Sequence, residues 1–514
     1  MLARTARLVK RTTIVVAVIA ITLLGVRAWD SLGGPPLEPW HIIVPEEMTI
    51  DEMDKASWTD YLAHEDAMFR TLRADLSADL EPEDKTDINR YFEGSPIFTG
   101  NFKQDWNRSY EIRPKGEVLG AVVLLHGLTD SPYSLRHIAE HYADRGFLAI
   151  GVRVPGHGTV PAALTEATWE DWMAAVRLAM REARAQAGPD RPVHMVGFSN
   201  GGALALKYSL DTLADPALPR ADRLVLLSPM IGVTQFARFA GLAGIPAILP
   251  SFAKAAWLGI VPEFNPFKYN SFPVNGARQS FELTQELQGQ ISREAKAGTL
   301  EKLPPVLTFQ SVLDFTVSTR AIITAFYSLL PQNGSELVLF DINRGSPFGG
   351  LFTRAADTAL NAMLPAPPRR FRTVIVTNAQ PGDPAVVARI LEPGATEDRV
   401  LPLGVDYPAD VFSLSHVALP FPVTDSLYGA TPDPDDGDFG VHLGAIAARG
   451  ERGALIVNLD SLLRTSFNPF FDQLIARIDR EIDRSVGAVP GSETQPETAP
   501  PTPGSAPPAP ATGG

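Results

Sequence analysis

The chain has 514 residues, of which 45% are hydrophobic and 20% charged, enough apolar material for a sizeable core. A formal net charge of −14 argues against nucleic acid as a partner, because phosphate binding needs clustered Lys and Arg that the body of the chain lacks. There is no cysteine, which excludes thiolate catalysis, cysteine-based zinc sites, disulfides and cysteine-linked lipids.

At the amino terminus Arg4, Arg7, Lys10 and Arg11 precede an uncharged apolar run, 12–26, which Arg27 closes. The run is short for a full membrane span and long for a cleaved signal core. Its cationic flank predicts a membrane anchor over residues 1–29, with a cleaved export signal as the alternative. Either reading puts the body outside the cytoplasm, in the periplasm if the cell is bacterial. Residues 30–107 read as a Pro-rich spacer followed by a helical arm. Over 50–80, Met53, Trp58, Tyr61, Leu62, Met68, Phe69, Leu72 and Leu76 are spaced as one apolar stripe of a helix.

From about residue 108 short apolar strands alternate with helical patterns. The strand candidates are 118–125, 147–152, 193–196, 224–227, 306–309 and 337–340, and the helices between the first four are 134–145, 169–187 and 201–214. Repeated strand–helix units with uniformly apolar strands predict an α/β fold, a doubly wound and mostly parallel sheet covered on both faces. The core is expected in two parts, 108–230 and 304–487. Between them 231–303, rich in Phe, Ile, Leu and Pro, is placed to fold over the sheet as a helical lid. A second insertion, about 344–410, holds one more strand candidate, 371–377. Residues 488–514 are too rich in Pro, Ala and Gly to bury a core and read as a disordered tail.

The strongest local signal is VGFSNGG, in which Gly197, Ser199 and Gly201 form G-x-S-x-G between a strand and a helix. A nucleophile on so tight a turn needs neighbours without side chains, and the helix that follows aims its positive end at the site. Upstream, AVVLLHGLTDSP ends a strand at His126. Acyl transfer needs two backbone N–H groups aimed at the oxyanion, and those of Leu128 and Asn200 fit, with His126 shaping the loop. An acid and then a histidine must follow Ser199. Asp314, in QSVLDFTVST after a strand, is the preferred acid and Asp341 its rival. Beyond Asp314 only His416 and His442 remain, and His416, between apolar stretches, is preferred over His442, which follows the acidic loop TPDPDDGDFG. That loop lacks the bidentate Glu of a calcium-binding hand and reads as a solvated turn. His157 reads as a packing residue, the NRS and NGS tripeptides at Asn107 and Asn333 carry little weight, and no metal site is expected.

With HGLTDSP, PGHGT, GFSNGG, SVLDFTV and the SH pair at His416 in hand, the chain resembles the α/β-hydrolase superfamily, in the branch of monoacylglycerol lipases, lysophospholipases and bacterial carboxylesterases. The resemblance is good over roughly 108–320. It implies a Ser, Asp, His triad, no cofactor, and a helical lid where 231–303 stands. The chain departs from it in the 102 positions between Asp314 and His416, in the long amino-terminal arm and in the carboxyl-terminal end.

The function expected is hydrolysis of a small-molecule or lipid ester with an apolar acyl group, through an acyl-serine intermediate. An acyltransferase would use the same residues with an alcohol in place of water. A membrane-tethered binding module on a silent hydrolase scaffold is the rival from another class.

Overall fold

The computed structural model describes residues 2–232, 244–314, 316–343, 363–408, 414–444 and 466–488. The tail from 489, residues 344–362 of the expected insertion and 233–243 of the expected lid lie outside the described residues.

The first helix, α1 (Leu2–Ser31), does not stop at Arg27. The Arg27 guanidinium pairs with Asp30 at 3.3 Å, so the apolar helix runs on, and Val9–Ser31 forms a 23-residue stretch whose most apolar window has mean hydropathy 2.0 and is not buried in the protein. At 1.5 Å per residue that is about 34 Å, enough to cross a hydrocarbon core of about 30 Å. Counting uncharged residues alone understates the segment.

The arm is two helices, α2 (Ile50–Lys55) and α3 (Trp58–Asp79), because Ser57 caps a new helix with a reciprocal bond to Asp60. The stripe expected from the spacing is buried at Met53, Trp58, Tyr61, Met68, Phe69, Leu72 and Leu76. Then come β1 (Tyr110–Ile112), β2 (Gly120–Leu125), α4 (Arg136–Asp144), β3 (Phe147–Val152), α5 (Trp169–Ala187), β4 (Val193–Phe198), α6 (Asn200–Ala214) and β5 (Arg223–Leu227). A two-strand pair, β6 (Trp257–Gly259) with β7 (Phe272–Pro273), precedes α7 (Val274–Ala297). The chain continues through β8 (Val306–Ser311), β9 (Glu336–Asp341), β10 (Arg372–Asn378), β11 (Ala385–Leu391), β12 (Arg399–Asp406) and α8 (Phe471–Ser485).

Ten strands form one sheet in the order β1-β3-β2-β4-β5-β8-β9-β10-β11-β12. From β3 to β10 all neighbours are parallel, while β1, β11 and β12 are antiparallel, so the sheet is mixed. The parallel strands are buried on both faces: Ala121, Val123 and Leu125 of β2 pack under α5, α6 and the arm, and Val122 and Leu124 under α4 and α8. Helix α7 sends Leu283, Leu287 and Ile291 into the first of these cores, so this end of the expected lid span is part of the main packing. The expected insertion contributes β10 to β12, which widen the sheet. Strand order reverses at β2, with β3 on one side and β4 on the other, and the crevice beyond the carboxyl ends of β2 and β4 is where this layout places its ligands.

Candidate active site

Ser199 joins β4 to α6 with φ 54° and ψ −113°, a left-handed backbone that a non-glycine residue holds only under strain. The turn survives because its neighbours are glycines. A Cβ on Gly197 would lie 2.4 Å from the Gly201 carbonyl oxygen, and one on Gly201 only 1.9 Å from that of Leu125. Backbone bonds fix the corner: Ser199 N–H donates to Leu227 O (2.9 Å), and Ser199 O accepts from Met230 N–H (2.9 Å).

The Ser199 hydroxyl donates to His416 Nε2 at 3.0 Å. His416 Nδ1–H in turn donates to Asp314 Oδ2 at 2.8 Å. His416 starts a short 3-10 turn, is 8% exposed and lies against the Phe198 ring. Asp314 accepts the N–H groups of Thr316 (2.8 Å) and Val317 (3.0 Å) and a Gln310 amide N–H (3.2 Å). Burial pushes the Asp314 carboxyl up, but His416 and these donors outweigh it and hold the group below its ordinary range. The rival acid Asp341 ends β9 in register with Thr377.

The loop after β2 meets Ser199 closely, since a Cβ on Gly127 would come within 3.3 Å of the Ser199 Cβ. Leu128 follows it, and Asn200 opens α6. Among the described residues neither N–H is taken by another backbone carbonyl. His126 shapes this loop: Nδ1–H donates to Gly127 O (2.9 Å) and Nε2 accepts the Val154 N–H (3.2 Å). Burial holds its pKa well below the usual value, so the ring is neutral. His157 is buried between His126 and Trp172. His442 faces Gly429 O at 3.0 Å. Asn107 is buried and its amide donates to Pro266 O (2.9 Å), so its tripeptide is not a surface sequon.

Several residues around the site carry no motif. Tyr269 N–H donates to Thr129 O (2.8 Å), and its hydroxyl accepts from Thr159 N–H (2.8 Å) and donates to Gly156 O (3.1 Å), joining the loops after β2 and β3. Arg153, fully buried, is gripped by Glu65 (2.8 Å) and, through both Nη atoms, by Glu47 (2.8 Å each) of the arm. Asp425, also buried, takes Arg136 (2.7 Å), His137 (3.0 Å) and the Tyr133 hydroxyl (3.1 Å). The acidic loop is exposed at Asp433, Asp435 and Asp438. Asp436, however, reaches the same buried Arg136, so the solvated-turn reading fails at that position. His137, Asp425 and Asp436 are close enough together to suggest a metal, but the Arg136 guanidinium already supplies the positive charge.

Asp130, in HGLTDSP, is 5% exposed beside this site. Burial pushes its pKa from 3.8 to about 6, with Lys268 and the Ser131 N–H pulling the other way. A carboxyl whose folded pKa lies above its unfolded one binds an extra proton when folded, so it costs stability as pH rises between roughly 4 and 6. Asp130→Asn is therefore expected to stabilise the protein at pH 8, by at most roughly 3 kcal/mol, and to have little effect at pH 4. Denaturant unfolding at the two pH values checks this, and an equal effect at both would refute it.

Residues 116–266 match the family described as Hydrolase_4, serine aminopeptidase, S33. That stretch includes the loop after β2 and Ser199 but ends before Asp314 and His416. A curated relative, the thermostable monoacylglycerol lipase of Bacillus sp. (strain H-257), is 34% identical over 85 residues, which are 16% of this chain and 33% of that protein. The match thus spans about a third of the relative's length. Among solved structures, one of the metagenome-derived lipolytic enzymes LipS and LipT is 22% identical, covering 50% of this chain and 97% of its own, with a TM-score of 0.36. The Paleococcus ferrophilus monoacylglycerol lipase is 17% identical, covering 48% and 96%, with a TM-score of 0.34. Over 116–266 the chain is similar to this family of hydrolases, and over a shorter stretch to a monoacylglycerol lipase.

Proposed function

We propose that this chain is an α/β-hydrolase that cleaves carboxylic esters with an apolar acyl group, using Ser199 as nucleophile, His416 as general base and Asp314 as its partner. The observation that carries the reading is the continuous hydrogen-bonded line Ser199–His416–Asp314. In this reading Ser199 Oγ attacks the ester carbonyl as its proton passes to His416 Nε2. The N–H groups of Leu128 and Asn200, with the amino end of α6 behind them, stabilise the oxyanion. His416 then protonates the departing alkoxide, leaving an acyl-serine. Water, deprotonated by the same imidazole, releases the acid, while Asp314 keeps Nδ1–H pointed away from the reaction.

The acyl group is argued from the Phe-, Ile- and Leu-rich span 231–303, part of which covers the site in this reading. Helix α1 is the anchor, with the body outside the cytoplasm, because Arg4, Arg7, Lys10 and Arg11 flank its other end.

Labelling the full chain with a fluorophosphonate probe and mapping the adduct tests the chemistry. We expect one modified peptide, containing Ser199, and turnover of p-nitrophenyl esters that improves from acetate to longer acyl chains. A folded protein that takes no label, or takes it elsewhere, would overturn the reading in favour of a non-catalytic module.

A further inference from the structure

We infer that the segment from Gly244 to Leu258 is a second membrane contact, an apolar foot locked to the end of α1 and resting in the same lipid surface that α1 crosses. The inference rests on the anchor reading above and adds to it a lipid-binding surface in the body of the protein.

The first observation is a reciprocal clamp. Arg27, just before the last turn of α1, donates from Nη2 to Ala255 O (3.4 Å) and to Trp257 O. Lys254 reaches back, its ammonium donating to Gly33 O and Gly34 O at 3.3 Å each. Each element thus uses a cation to satisfy carbonyls that end the other, and the short helices Ile245–Ile248 and Pro250–Ala256 pack beside α1. Where α1 leaves the bilayer, this segment has no freedom to be elsewhere.

The second observation is what the foot displays. Ile248 is 80% exposed, Leu249 58%, Leu258 47% and Ile245 39%, while Trp29 of α1 is 79% and Leu32, just past its end, 56% exposed. Large aliphatics this bare are costly in water when they lie together. A tryptophan in the final turn of a spanning helix is at headgroup depth, where its ring is most stable. The patch continues the exposed apolar surface of α1, so the occupant that fits is the lipid surface itself. On its inner side the foot is anchored by Trp257, whose ring meets His41 edge-on at 4.8 Å. From there the chain runs through β7's neighbour Tyr269, which ties together the two loops beside Ser199. The lipid surface and the candidate active site are thus connected through one short stretch of chain.

The lack of cysteine makes the test clean. Single-cysteine variants Ile248→Cys, Leu249→Cys, Val18→Cys in α1 and Val400→Cys on the distant β12 are labelled with an environment-sensitive fluorophore. The full chain is then reconstituted into phosphatidylcholine–phosphatidylglycerol vesicles with or without doxyl lipids. We expect blue-shifted emission at 248 and 249 quenched by shallow doxyl groups, quenching at 18 by deep ones, and neither effect at 400. Quenching at 18 with 248 and 249 behaving like 400 would overturn the foot and leave the anchor standing. No quenching at 18 would overturn the anchor reading and the foot with it. A blue shift at 248 that lipid-borne doxyl does not quench would mean that a protein surface covers the patch, and the inference would be wrong. As a second readout, Ile248→Asn with Leu249→Asn should lower turnover of a bilayer-borne ester about tenfold more than that of a water-soluble ester; equal effects on both would count against it.

Discussion

Replacing Ser199 by alanine is expected to remove ester turnover, lowering kcat/KM by about 10⁴-fold or more, while the unfolding transition stays in place. The corner that holds the residue is made by the backbone: the Leu227 and Met230 bonds and the glycines at 197 and 201 are indifferent to the hydroxyl. Alanine tolerates the positive φ no worse than serine does. The one side-chain bond lost is the donation to His416 Nε2, which is worth about 1 kcal/mol. What activity remains is expected from substrate binding and from the proposed oxyanion donors, the Leu128 and Asn200 N–H groups, which act without the nucleophile. Steady-state kinetics on a p-nitrophenyl ester beside thermal unfolding of the same preparation measures both quantities. A variant that kept a tenth of the wild-type rate would exclude Ser199 as the nucleophile.

The elbow was legible in the sequence because its demands are local. The clash that forbids a side chain at 201 involves Leu125 O and His126 O, yet it is announced by three glycines around one serine after an apolar strand. The central strands were legible for a similar reason, since β2, β3, β4 and β8 are buried at every position and so read as mostly apolar runs, with polar residues only at His194 of β4 and at Thr308, Gln310 and Ser311 of β8. β12 was not. RVLPLGVD carries Pro402 and Gly404, is exposed at most positions and closes the sheet as an edge strand, a composition closer to loop than to strand. β11, AVVARIL, has no such breaker and is buried at Val386, Ala388, Ile390 and Leu391; only Arg389, paired with Asp398, is exposed. The ion pairs around the site are invisible for another reason. Arg153 with Glu47 and Glu65, and Arg136 with Asp425, join residues far apart in the chain with no spacing rule to link them.

His416→Gln is expected to lower kcat by about 10³-fold or more and to slow fluorophosphonate labelling by a similar factor, with KM little changed. His442→Gln should stay within about threefold of wild type, the difference expected when no proton-transfer step is lost. The distance in sequence between Asp314 and His416 does not weaken this expectation. The strands β10 to β12 are added at the edge of the sheet, beyond β9, so the chain leaves after β9 and returns to the carboxyl ends of the central strands without displacing them. On its return His416 is packed against Phe198 and hydrogen-bonded on both ring nitrogens, to Asp314 and to Ser199. Glutamine can imitate one of those bonds but cannot take a proton at one end while donating at the other. His442 is held by the Gly429 carbonyl, on the loop beyond Asp425. His126 is late for neither task but spent on its own loop, with Nδ1 and Nε2 both engaged by backbone, so His126→Gln should act on folding stability before it acts on chemistry. Circular dichroism and thermal unfolding separate the two kinds of loss. An active His416→Gln enzyme beside a folded but inactive His442→Gln one would move the general base to His442.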